Sequence, residues 1–277
     1  MTYKLICDSC TDLPPELVTD PCVKRVPLSI QVGQETIIDG DDFCQAELLE
    51  KMRHWPDAPK TACPAPTMYL DQFVDDGDNY VVTLSGQLSG SYNAAMQARA
   101  IYREEGGSGN VHVFNSRSAS AGQAQIALLV RELAGRGISF TQVVEKVEAY
   151  IDRMKTLFVL ENLDNLRKNG RLTRMQSLVT GALRVKLLCG ATPEGEIQKL
   201  GQGLSVRQTL AKMVSRMAED PSHTDRRLVI AHCNCLERAE AVREMVRQKC
   251  RFGEILIVAT GGIATVYAND GGIVAAY

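Results

Sequence analysis

The sequence predicts an α/β protein of two units, and three observations carry that prediction. Strand-like and helix-like patterns alternate from the first residues onward, the mark of a mostly parallel sheet covered on both faces. The loops expected after its strands, Asp8–Asp12, Ser85–Ser91 and Asn115–Ser118, are rich in small hydroxyl and amide residues. Sheets of this kind hold ligands at such loops. In the second half the texture changes, because a Pro193-Glu194-Gly195-Glu196 turn joins two extended stretches into a hairpin. A hairpin among β-α units predicts a smaller α+β unit with a mixed sheet. The predicted units are residues 1–154 and 155–277.

The elements follow in order. Tyr3–Cys7 reads as a short apolar strand, and Pro14-Pro15 opens a helical turn, where proline's missing N–H costs nothing. Val23–Val32 reads as extended. Asp42 is placed to cap a helix from Phe43 to His54 that carries Leu48, Leu49 and Met52 on one face. Thr67 is placed to cap a second, Met68–Asp75. Tyr80–Leu84 and Val111–Phe114 read as strands. Ala94–Glu105 reads as a helix stopped by Gly106-Gly107, and Ala121–Ala134 as a long apolar helix. In the second half of the chain, Gln142–Arg153, Val206–Ala218 and Leu236–Gln248 read as helices. Leu163–Lys168 reads as a short one closed by Asn169-Gly170. Thr156–Leu160, Arg227–Ala231 and Glu254–Val258 read as strands.

Composition removes several classes of function. The 277 residues carry 45% hydrophobic and 23% charged side chains, an ordinary globular balance. A formal charge of −2 offers no basic footprint for nucleic acid, and 5% aromatics offer few stacking platforms. The start MTYKLICDSC lacks a signal-peptide layout, and no run approaches the roughly 18 apolar residues of a membrane span. A cytoplasmic location is the expectation. Nine scattered cysteines then read as core residues or free thiols.

The candidates for chemistry are few. Cys7 and Cys10 have redox spacing after a strand, although Asp8 and Ser9 between them are ordinary turn formers. His232-Cys233-Asn234-Cys235 offers soft ligands, but adjacent residues at a strand end point to opposite faces, so no metal is expected. The carboxylates Asp39, Asp41 and Asp42 around Gly40 read as a solvated turn and helix cap. No phosphate-binding glycine loop and no nucleophile elbow is present. What remains is a set of hydroxyls. Thr61 lies in a proline-punctuated loop, and Ser85, Ser89 and Ser91 lie just before a helix. Hydroxyls and N–H groups at a helix start suit an anion. One such bond contributes about 1–2 kcal/mol, which orients a ligand without gripping it. An acyl tail of sixteen carbons, buried at ~0.8 kcal/mol per CH₂, could gross about 12 kcal/mol.

At these loops the sequence resembles the DegV family of bacterial fatty-acid-binding proteins over nearly its whole length. Asp8-Ser9-Cys10-Thr11-Asp12-Leu13-Pro14 resembles D-S-x-x-D-L-P, and Lys60-Thr61-Ala62-Cys63-Pro64 resembles T-S-x-P. Leu84–Tyr92 resembles S-S-x-L-S-G-T-Y, and Asn162-Leu163 through Gly170-Arg171-Leu172 resembles L-x-x-L-x-x-G-G-R-I. The resemblance implies two α/β domains that enclose a palmitate-like fatty acid. Its carboxylate would be held by Thr61, Ser85, Gly86, Ser89, Ser91 and Tyr267, with Arg171 bracing a loop. It implies a carrier without catalysis of its own, one that can present the acid to a separate fatty acid kinase for phospholipid metabolism. Gly86 and Ala62 stand where the family has serines, and Tyr267 where it has a late histidine. A basic stretch that meets the kinase is replaced by Gln202-Gly203-Leu204, which counts against that partnership. The alternatives are an enzyme acting on a small phosphorylated or carboxylated substrate, with Asp8 as base, or a redox module using Cys7 and Cys10.

Overall fold

The computed structural model describes residues 2–172 and 185–277. A four-stranded parallel sheet forms first, in the order β2-β1-β6-β7. These strands are β1 (Tyr3–Asp8), β2 (Val23–Val26), β6 (Asp78–Thr83) and β7 (Asn110–Asn115). Alternation along β1 explains its two covered faces. Ile6 packs with α3 (Pro66–Leu70) and α4 (Ser91–Glu104). Leu5 and Cys7 pack against α5 (Ala121–Gly135) and α6 (Phe140–Ile151).

The six-stranded mixed sheet follows, in the order β10-β9-β8-β13-β11-β12. Its strands are β8 (Thr156–Val159), β9 (Lys186–Ala191), β10 (Ile197–Gly203), β11 (Arg227–His232), β12 (Glu254–Ala259) and β13 (Ile273–Ala276). The turn at Pro193–Glu196 joins β9 to β10 as an antiparallel hairpin, as the sequence predicts. Leu228 and Ile230 of β11 face α8 (Val206–Glu219) and α9 (Leu236–Lys249). Val229 and Ala231 face the other way, onto the same core as α5. Helix α5 is therefore apolar nearly all round because both sheets pack on it.

Several local expectations need correction. Val23–Val32 is not one strand. Pro27 and Leu28 divide β2 from β3 (Ser29–Val32), which enters a separate antiparallel sheet β4-β3-β5 with β4 (Glu35–Ile38) and β5 (Lys60–Ala62). Thr61 thus sits on an edge strand opposite Ile30, not in a loop. Helix α2 is Gln45–His54, with Cys44 rather than Asp42 at its N-cap. Helix α3 starts at Pro66, whose fixed φ suits a first helical position, so Thr67 lies inside it. The short helix α7 is Asp164–Lys168. Helix α10 (Gly262–Ala268) and strand β13 have no counterpart in the sequence reading. Both matter, since β13 sits mid-sheet between β8 and β11 and α10 carries Tyr267.

Candidate functional site

The site grows from β8. Leu157 and Val159 turn to the core under α8 and α9. Thr156, Phe158 and Leu160, two residues apart, turn to the opposite face and line a cavity of about 750 Å³, part of it open to solvent. Its walls are completed by Ile197 from β10, Val274 from β13, and Ile263 and Ala264 from α10. Leu84 and Leu88 close it from the serine loop, and Ser118, Ala119 and Ser120 from the loop after β7. Most of this lining is hydrocarbon, which suits an apolar ligand of extended shape.

One end of the cavity is marked by Tyr267 and Arg171. The Tyr267 phenol and the Thr61 hydroxyl are 2.7 Å apart, one donating to the other. Burial pushes the phenol above its usual range, against the Thr61 bond and the Arg171 charge, so it is a neutral donor near pH 7. The Arg171 guanidinium lies 5.9 Å from the Tyr267 ring centroid. It donates through Nε to the Leu88 carbonyl at 3.2 Å and through a terminal nitrogen to the Asn169 carbonyl, bridging two loops.

Helix α10, which carries Tyr267, is fixed by Asp39 and Asp12. Asp39 accepts from Gly262 N at 2.8 Å and Ile263 N at 3.0 Å, and Asp12 accepts from Gly261 N at 2.7 Å. These groups satisfy orphan donors at the helix start. A Cβ on Gly262 would lie 2.7 Å from Asp39 Oδ1, so the contact requires glycine. Asp39 is therefore no solvated turn residue. It is fully buried, whereas Asp41 and Asp42 are exposed.

The serine loop is placed differently from the threonine. Ser85 is fully buried and does not line the cavity. Its Oγ donates to the Gly195 carbonyl at 2.8 Å and accepts from Gln87 N at 3.2 Å. It therefore ties the serine loop to the β9–β10 turn. Gly86 N donates to Asn115 Oδ1 at 3.1 Å. Ser89 and Ser91 pair with each other at 3.0 Å, and Ser91, the first residue of α4, is buried. Tyr267 and Arg171 line the cavity; Thr61 is not on the lining and meets it through its bond to Tyr267, and Ser85, Gly86, Ser89 and Ser91 lie behind the wall.

The other candidates take structural places. Asp8 bonds its own turn through Cys10 N but also reaches beyond it, and Ser9 bonds outside the turn. Asp8 accepts from Leu84 N at 2.6 Å and Gln123 Nε2 at 2.8 Å, and Ser9 Oγ accepts from Leu28 N at 3.0 Å. Burial pushes the Asp8 carboxyl up to about 6 despite those donors, but Asp8 does not reach the cavity as a base would have to. Cys7 and Cys10 are buried free thiols, and burial pushes both well above the usual thiol range. A redox pair needs the opposite shift. His232 Nδ1 faces the Cys235 N–H at 3.3 Å, and among the described residues no cluster could hold a metal ion. Gly203 closes β10 opposite Lys186, and Leu204 beside it is 79% exposed.

The sequence reading singled out the loop that ends at Ser118 but missed Phe158, Ile263 and Thr156 as lining residues. Their signal was present in the period-two face of β8 and in Gly261-Gly262 ahead of an apolar run.

Comparisons with known proteins give the family and the fold. The family model described as "Uncharacterised protein, DegV family" matches residues 2–277. A DegV domain-containing protein of Streptococcus gordonii is 32% identical over 100% of this chain and 99% of its own. A DegV family crystal structure from Ruminococcus gnavus, refined with vaccenic acid, is 44% identical at TM-score 0.96, covering 100% of this chain and 99% of that one. The Streptococcus pneumoniae fatty acid kinase B3 protein, loaded with linoleic acid, is 31% identical at TM-score 0.90, again over 100% and 99%. A DegV family protein from Eubacterium eligens, loaded with heptadecanoic acid, is 26% identical at TM-score 0.90, over 99% and 98%.

Proposed function

We propose that this protein, which belongs to the DegV family, holds one long-chain fatty acid in the cavity beside β8. The observation that carries this reading is a hydrocarbon-walled space, partly open to solvent, bordered by Arg171 and by Tyr267, whose phenol pairs with the Thr61 hydroxyl. The walls grip the tail, at ~0.8 kcal/mol per buried CH₂. Thr61 and Tyr267 turn their hydroxyls to the carboxylate. Each charged hydrogen bond contributes about 1.5–3 kcal/mol, enough to set direction. Arg171 holds the mouth in shape, and Ser85, Gly86, Ser89 and Ser91 fix the loop behind it. The fatty acids named with three similar structures support the same reading.

In this reading residues 1–154 and 155–277 close on the acid as two units. The protein is a cytoplasmic carrier that performs no chemistry. Among the described residues no helix is long and apolar enough to cross a membrane. A separate kinase subunit phosphorylates the presented carboxylate, and the relative named as a fatty acid kinase B3 protein supports that partnership. Exposed Leu204, rather than a cation, would then meet the kinase.

Native mass spectrometry of protein purified from a bacterial host is the test. The expected result is one fatty acid mass per chain, released on denaturation. A chain that carries no such mass and takes up no palmitate contradicts the proposal.

A further inference from the structure

The cavity has a second polar end. Thr156, Phe158 and Leu160 share one face of the strand, so the space runs along it for about 13 Å. Leu160 clusters with Leu166, Ala268 and Tyr267 at the headgroup end. At the opposite end Thr156 Oγ1 and Ser118 Oγ lie 2.7 Å apart, both buried and both on the lining. Arg117, Thr156 and Ala191 also border a neighbouring polar cleft that opens to solvent.

These two hydroxyls are not fully used. Between them they have two protons, and their mutual bond takes one. If Ser118 donates, the Thr156 proton has no other acceptor among the described residues. If Thr156 donates, the Ser118 proton is left with the Ala119 carbonyl at 3.4 Å, beyond the normal O–H···O range. Either way one donor and several lone pairs remain at the end of a hydrocarbon space. Leaving a buried donor idle is unfavourable.

The pair is also built for. A Cβ on Gly122 at the start of α5 would lie 2.0 Å from Ser118 Oγ and 3.1 Å from Thr156 Oγ1, so glycine there makes the room. Ser118 stands between two residues with left-handed backbone, Arg117 at φ 49° and Ser120 at φ 55°. That loop is held by Ser116, whose Oγ donates to the Ser118 carbonyl at 3.0 Å and accepts from Ser118 N at 3.1 Å. Strained backbone kept by surrounding bonds is a mark of functional positions.

We infer that Ser118 and Thr156 receive an oxygen substituent on the acyl chain, so that the protein accepts hydroxy or oxo fatty acids. The inference rests on the fatty-acid reading of the same cavity and sharpens its ligand class. A chain hydroxyl would accept the idle proton and donate to a free lone pair, and a keto group would accept only. A purely hydrocarbon tail would leave the pair as it stands.

Competition binding to the full chain tests this, with stearic acid and its mono-hydroxy isomers carrying the hydroxyl near the middle or near the tail. At least one hydroxy isomer should bind as tightly as stearate. Thr156→Val or Ser118→Ala should lower the ratio of that isomer's affinity to stearate's about tenfold, the cost of an unpaired buried hydroxyl. Thr156→Ser, which keeps the hydroxyl, should hold the ratio and covers the case in which Thr156→Val fails to fold. Stearate bound tightly with every hydroxy isomer at least tenfold weaker overturns this inference and leaves the fatty-acid reading standing. An unchanged ratio in both hydroxyl-deleting variants does the same. Failure of every acid to bind removes both.

Discussion

The middle of the cavity and its mouth are built on opposite principles. Along the middle, Phe158, Leu160, Ile197 and Val274 present hydrocarbon from strands buried in the mixed sheet. At the mouth, Thr61 on an edge strand and Tyr267 on a short helix present hydroxyls that stand 206 residues apart in sequence and meet only in the folded state. The middle can supply many weak increments of affinity, and the mouth a few directional bonds. A ligand that is mostly tail with one polar head fits both.

Substitutions separate the two regions. The largest effect should come from filling the middle. Ala264→Phe puts a ring where several methylenes of the tail would lie, and at ~0.8 kcal/mol each it should weaken palmitate binding by about 2–4 kcal/mol. Thermal stability should hold, because the ring enters empty space. A calorimetric titration beside a melting curve reads both.

Next comes the mouth. Thr61→Val with Tyr267→Phe deletes both hydroxyls as a pair and leaves no orphan. Affinity should fall by about 1–3 kcal/mol, and discrimination between palmitate and its uncharged methyl ester should vanish. Retention of that discrimination would move the headgroup elsewhere.

A smaller effect is expected at Ser85, whose bond to Gly195 fastens the β9–β10 turn over the cavity. Ser85→Ala should speed dissociation about fivefold, the equivalent of ~1 kcal/mol, measured by stopped-flow displacement. An unchanged rate with altered carboxylate preference would instead return Ser85 to the headgroup site.

The smallest effect concerns two buried acids beside the strand ends, Asp8 and Asp12. Burial pushes Asp8 up to about 6 and Asp12 up to about 7, despite the donors each receives. Unfolded aspartate titrates near ~4. The folded protein thus holds protons that the unfolded chain has released. Their contribution to stability is full below about pH 4 and declines as pH rises through the folded values. Glu161 acts in the opposite sense. Burial alone would raise it, but Lys186 and Arg238 hold it below the usual range, so its contribution is lost only in more acid solution. Lowering pH from about 7.5 to about 5.5 should raise Tm by a few degrees. Asp12→Asn, which can still accept from Gly261 N and donate to Ser120, should flatten that slope.

Much of the fold was legible because it depends on local pattern. The apolar runs of β1, β6 and β11 and the glycine stops after α4 and α7 read correctly from neighbours alone. The errors lie where distant residues decide. Nothing near Val23–Val32 says that its two halves enter different sheets, nor that Lys60–Ala62 pairs with the second half. The terminal Ile273–Ala276 is too short to announce a central strand. At the candidate site, Thr61, Tyr267 and Arg171 were singled out through family resemblance. Gly86 and Tyr267 mark where this chain departs from it. The cavity itself was not legible, since a void is a property of packing rather than of any residue.

The most direct test of the central claim is affinity against tail length, from decanoic to stearic acid. If the hydrocarbon wall supplies the grip, each added methylene should tighten binding about fourfold, equivalent to ~0.8 kcal/mol, until the cavity is full. Affinity that stays flat with tail length, yet collapses when Thr61 and Tyr267 lose their hydroxyls, would contradict it.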